Sequence, residues 1–164
     1  MKALVLIGVK EFEIRDLDTL EILSNEVLIN TAYAGVCGTN HDLYAGHPGS
    51  ASAVPPIVLG HENSGVVAAV GSAVTNVKVG DRVAVDPNIY CGQCEFCLTQ
   101  RPELCDHLSA VGVTRNGGLA ELHCTCIRGL QAARQCLPTR CCGKGAAASP
   151  ARYNVCIMKR LPRC

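Results

Sequence analysis

Four cysteines fall in the stretch YCGQCEFCLTQRPELC, which runs from Tyr90 to Cys105. Cys91, Cys94, Cys97 and Cys105 follow a C-x2-C-x2-C-x7-C spacing. Two residues between thiols let a short loop turn both sulfurs toward one ion, and the longer gap lets the fourth close a tetrahedron. Four thiolates leave no open coordination position, so a zinc held here is structural and stakes down a lobe too small for its own core. The same spacing also admits an iron–sulfur cluster, or disulfides in an oxidising compartment.

A second set of metal-ligating types is spread over two segments, GVCGTNHDLYAG at 35–46 and GHENSGVVAAVGSAV at 60–74. Taken singly, Cys37 at a strand end reads as a buried structural thiol, and His61 as a satisfied polar group. His41 and His47 read as surface-loop residues.

These residues need a scaffold, and residues 1–122 read as mostly β. MKALVLI and EVLINTAYAGVC have the β-branched and apolar content of strands. NSGVVAAVGSAV and VKVGDRVAVDP add short ones, with Gly and Asp marking turns. Their spacing predicts a small sandwich or barrel. A helix is expected at Ile22–Asn25, an exposed loop between Gly46 and Pro56, and a short amphipathic turn at Gly129–Gln135.

Composition divides the chain. Of 164 residues, all 14 acidic ones lie at or before Glu121, whereas Leu122–Cys164 carries eight of the 15 Lys and Arg and seven of the 12 Cys. The segments 1–122 and 123–164 are therefore read as a folded domain and a tail of different origin. The net charge of +1 gives no bulk attraction to nucleic acid or membrane. The apolar run Ala3–Val9 is too short for a membrane span and lacks the features of a leader. A cytoplasmic location is expected, where clustered thiols stay reduced and bind metal more often than they pair.

With VGDRVAV at 79–85, these motifs resemble the zinc-dependent medium-chain alcohol and polyol dehydrogenases. Gly60-His61-Glu62 followed by Gly65, Gly71 and Val74 matches the family's zinc signature, and the four cysteines match its structural-zinc lobe. The resemblance covers residues 1–122 and implies a GroES-like, partly open β-barrel with a zinc lobe at about 87–108. It implies that Cys37 and His61 are catalytic zinc ligands, with Glu62 an alternate one. Thr39 matches the hydroxyl that passes the substrate alcohol's proton outward. In that family zinc polarises the alcohol oxygen and hydride passes to NAD(P). One departure lies near the relay: the family often carries Asp where Asn40 stands and His where Asp42 stands, while His41 sits one place early. In an extended segment that shift would turn its side chain away.

The resemblance also implies a third catalytic-zinc ligand and a Rossmann domain, neither of which is recognised in residues 123–164. GKGAAA at 143–148 fits G-x-G-x-x-A but follows PTRCC, not a strand, and has no acidic residue downstream, so it is rejected as a nucleotide site. Read one base along, His123–Gln135 can encode TVPASAAYKLPDS, which resembles what the family carries after the Gly-Gly-Leu-Ala-Glu matched by Gly117–Glu121. The tail is therefore expected to be a disordered, out-of-frame product.

The expected function is that of a fragment of a zinc- and NAD(P)-dependent oxidoreductase of secondary alcohols or polyols. It holds structural zinc, is inactive alone, and self-associates through apolar surface left exposed. The alternatives are a non-catalytic zinc-binding module, or a thiol-rich metal-binding protein that uses the tail cysteines.

Overall fold

The computed structural model of the chain describes residues 1–18, 20–47 and 53–126, together with the strand backbone at 130–132 and 156–157. The strands are β1 (Lys2–Gly8), β2 (Glu11–Asp16), β3 (Glu26–Val36), β4 (Ile57–Val58), β5 (Glu62–Val70) and β6 (Arg82–Val85). They continue with β7 (Asn88–Ile89), β8 (Ser109–Ala110), β9 (Leu122–Cys126), β10 (Leu130–Ala132) and β11 (Cys156–Ile157). Two α-helices, α1 (Gly38–Ala45) and α2 (Glu95–Leu98), and a 3-10 turn at Pro102–Leu104 interrupt them. The mainly β reading holds for the described residues.

β3 organises the larger sheet, whose order is β10-β6-β5-β3-β11 with β9 also on β3. Its partners are all antiparallel: β5 lies along one edge, and β9 and β11 share the other. Flanked on both sides, β3 is buried from Glu26 to Ile29 rather than alternating. Val27, Ile29, Val67, Val77, Val83 and Val85 form the core beneath it. A smaller sheet, β2-β1-β4, adds a second cluster of Leu6, Leu43, Ile57, Leu59 and Val113. The Val and Ile side chains among them are β-branched, stiff and suited to a pleated surface.

Two expectations are corrected. Ile22–Asn25 is not helical but ends in a turn in which Glu26 N donates to Leu23 O at 3.0 Å. The segment after Cys37 is not extended: it is helix α1, so the one-residue displacement of His41 is a rotation about a helix axis rather than a flip to the opposite face. Of the turn expected at Gly129–Gln135, residues 130–132 are strand β10 and the rest lie outside the described residues, as do residues 48–52 of the loop expected between Gly46 and Pro56 and GKGAAA at 143–148.

The sheet also carries the chain past the compositional break. β9 pairs with β3 from Glu26↔Cys126 to Asn30↔Leu122, and buries His123 and Thr125 completely. Among the described residues, no helix is long and apolar enough to cross a membrane.

Candidate functional site

The register of β3 against β5 builds the first site. It sets Gly35 opposite Glu62, so the residues just past the end of β3 and just before β5 meet. Cys37 and His61 are thereby joined, Cys37 Sγ lying 2.9 Å from His61 Nε2. A Cβ on Gly35 would come within 2.6 Å of Glu62 Oε2, so glycine is what leaves room for that carboxylate. Cys37, His61 and Glu62 present three donor atoms within 4.8 Å of one another. Cys37 is buried and the other two are half-buried.

His61 hangs on a turn that only glycine tolerates. Gly60 has φ +100, and a Cβ there would lie 2.8 Å from the Leu119 backbone nitrogen. Its carbonyl accepts hydrogen bonds from Asn63 Nδ2 at 2.8 Å and Gly118 N at 2.9 Å. Burial lowers the pKa of His61, opposed by the nearby Glu62 charge, so the imidazole is neutral and offers a lone pair at neutral pH. Its Nδ1 is buried with no hydrogen-bond partner.

Asn40 is the residue that sequence reasoning passed over. It is 4% exposed, and its Oδ1 accepts from Cys37 N at 3.1 Å and lies 3.5 Å from Cys37 Sγ. It thus closes a reciprocal capping box at the start of α1 and fixes the thiol at the same time. The hints in the sequence were its spacing, three residues after Cys37, and its place where the resembled family often carries Asp. Thr39 sits half-buried on the first turn of the same helix.

His41 and His47 stay outside this cluster. Both are exposed and direct Nδ1 at Asp42 Oδ1, at 3.4 and 3.1 Å. His47 foremost, then His41, hold the Asp42 carboxyl below its ordinary pKa.

The second site lies between β7 and β8. Cys91, Cys94, Cys97 and Cys105 bring four sulfurs within 4.8 Å of one another. Cys91 Sγ and Cys97 Sγ are 3.9 Å apart. A tetrahedral zinc with Zn–S bonds of about 2.3 Å sets its sulfurs about 3.8 Å apart. The donor set therefore fits zinc in both chemistry and size. Backbone amides already point at the sulfurs, with Cys94 N 3.3 Å from Cys91 Sγ and His107 N 3.4 Å from Cys105 Sγ. The amides of Gln93 and Cys94 pull the Cys91 thiol down to about 6, while burial pushes Cys97 up to about 12. Coordination deprotonates such thiols outright.

From residue 88 to residue 110 only Cys105 is buried. The lobe has no apolar core, and the convergence of its thiols is its one inward-facing feature. Of the tail cysteines, Cys136, Cys141, Cys142 and Cys164 lie outside the described residues.

Residues 23–134 match the model of the alcohol dehydrogenase GroES-like domain. Sorbitol dehydrogenase of Bacillus subtilis is 44% identical over 106 residues, 64% of this chain and 30% of that protein. Galactitol-1-phosphate dehydrogenase of Escherichia coli superposes with a TM-score of 0.78 at 30% identity, over 84% of this chain and 39% of that one. A cobalt- and zinc-bound thermostable alcohol dehydrogenase of Pyrobaculum aerophilum gives 0.73 at 32% identity, over 82% of this chain and 41% of that one. The chain thus spans between 30% and 41% of the length of these three proteins.

Proposed function

We propose, from the premise that this chain belongs to the alcohol dehydrogenase GroES-like domain family, that it is the N-terminal zinc-binding part of a zinc- and NAD(P)-dependent oxidoreductase of polyols or other secondary alcohols. On its own it holds a structural zinc in a reducing, cytoplasmic compartment and does not turn over. The observation that carries this reading is the convergence of Cys91, Cys94, Cys97 and Cys105 in a lobe with no apolar core.

Zinc bound at Cys37 and His61 would supply Lewis-acid polarisation of an alcohol oxygen. The chain's own residues do the rest. Cys37 and His61 provide two donors, and Glu62 stands within reach as a third. Asn40 fixes the thiol, and Thr39 offers the hydroxyl that moves the alcohol's proton outward. The acceptor of the hydride belongs to a dinucleotide-binding domain that residues 1–126 do not supply.

The match to the domain model runs on to residue 134, but two observations on β9 favour reading the segment after residue 122 as out of frame. His123 Nε2 and Thr125 Oγ1 are both buried with no hydrogen-bond partner. Such orphans are uncommon in evolved strands, because each forfeits its hydration. The other buried polar atoms without a partner among the described residues belong to Asn40, His61 and Asn63, around the Cys37–His61 site.

The purified chain, assayed with sorbitol and other polyols plus NAD or NADP, tests the reading. Bound zinc without alcohol-dependent nicotinamide reduction is the expected result, and turnover by the chain alone contradicts it. Size-exclusion chromatography of the same sample tests self-association: a monomer at all concentrations removes that part of the proposal.

A further inference from the structure

We propose that His41, Asp42 and His47 form a second kind of metal site, a solvent-open, dissociable site for a divalent first-row ion such as Zn²⁺, separate from both cysteine-containing sites. Three features carry it: the convergence of the donors, the backbone device that holds them, and the charge of the helix end on which they sit.

Imidazole Nδ1 atoms from two residues converge on one carboxylate oxygen, His41 at 3.4 Å and His47 at 3.1 Å from Asp42 Oδ1. The three side chains can bring one ligand atom each within 4.8 Å of one another. Metal–nitrogen and metal–oxygen bonds of about 2.0–2.1 Å place neighbouring donors about 3.3 Å apart in a tetrahedron and about 3.0 Å apart in an octahedron. The separation of 3.1 Å falls between these values and that of 3.4 Å just above them, so each imidazole is within a small adjustment of sharing an ion with Asp42. Two imidazoles and a carboxylate suit zinc, nickel or copper rather than calcium or magnesium.

The backbone brings the donors together. Helix α1 ends with Gly46 at φ +69, where Gly46 N donates to Leu43 O at 3.3 Å and His47 N donates to Asp42 O at 3.0 Å. This paired pattern is the Schellman motif, in which the residue after the left-handed glycine folds back over the residue five earlier in the chain. That contact is commonly apolar. Here it is His47 against Asp42, with His41 on the same turn. A Cβ on Gly46 would also come within 2.9 Å of Val9 Cγ2, so the reversal is fixed by packing as well as by conformation.

The C-terminal end of α1 carries the helix's partial negative charge, which favours a cation, and its last turn contains no basic residue. The side chains of His41, Asp42 and His47 are 70%, 48% and 56% exposed, so water can complete the coordination sphere and the ion exchanges freely.

Nickel is the probe that tests the site. The full chain is loaded with zinc, its accessible thiols are capped with N-ethylmaleimide, and Ni²⁺ is titrated by calorimetry with the histidine imidazole resonances followed by NMR. The expected result is a binding event that broadens His41 and His47 first. It weakens at least about tenfold in His47→Ala and in Asp42→Asn, since loss of mere outer-shell partners already costs that much, and it is unchanged in His107→Ala. Equal affinity in the His47→Ala chain, or no broadening of His41 and His47 at saturating Ni²⁺, overturns the proposal.

Discussion

Cys37 Sγ lies 2.9 Å from His61 Nε2, closer than a shared zinc would hold them. With bonds of about 2.3 Å to sulfur and 2.0–2.1 Å to nitrogen, a tetrahedral ion separates the two donors by about 3.6 Å. Here the pair makes a direct thiol–imidazole contact, which an ion must spread by several tenths of an ångström. With Glu62 as the one further donor in the cluster among the described residues, metal at this site is expected to exchange rapidly. Cys37→Ser should leave the tightly held zinc at about one per chain after dialysis against a mild chelator, as measured by atomic absorption. Loss of that zinc in the variant would show that the two sites are not independent.

Asn40→Ala should destabilise the chain by about 1–2 kcal/mol. It removes a capping box and leaves the buried Cys37 amide without its acceptor. Urea denaturation of the zinc-loaded chain reads this directly. An unchanged midpoint would mean that water replaces Asn40 at no cost.

Acid should weaken the fold through His123. Burial pushes this imidazole down from 6.5 to about 4, so the folded state keeps it neutral while the unfolded chain protonates it. The unfolded state binds more protons between these values, so stability is full above pH 6.5 and falls as pH drops toward 4. The loss across that window is worth about 3 kcal/mol. His123→Val should flatten the dependence of melting temperature on pH between 6.5 and 4. An equally steep dependence in the variant would assign the effect to other groups.

Legibility in the sequence followed the range of each interaction. The four-cysteine loop was readable because its thiols are close in sequence, and β1, β3, β5 and β6 were readable from β-branched content. Helix α1 was not: GTNHDLYA contains poor helix formers and no apolar stripe, and only Asn40 and Leu43 are buried from it. Its existence depends on Asn40 capping Cys37 and on Gly46 turning the chain. β9 was hidden because its inward residues are His123 and Thr125, which do not read as a hydrophobic face. The pairing of Cys37 with His61, 24 residues away, rests on the β3–β5 register, and in the sequence it was visible only through the resemblance of the two motifs to a known pattern.

Sequencing the coding DNA from codon 110 to several hundred bases past the stop tests the out-of-frame reading of the tail. An adjacent frame that continues Gly117–Glu121 into a dinucleotide-binding domain is the expected result. Absence of such a frame would make the cysteine-rich tail genuine, and the chain a zinc-binding module in its own right.

Cys91, Cys94, Cys97 and Cys105 are proposed to hold one structural zinc without help from the tail. This is tested most directly by the zinc content of the purified chain beside Cys94→Ser, with the melting temperature of each. About one tightly bound zinc per chain is expected, with its loss in Cys94→Ser together with a large drop in thermal stability. Stoichiometric zinc retained by Cys94→Ser would contradict it.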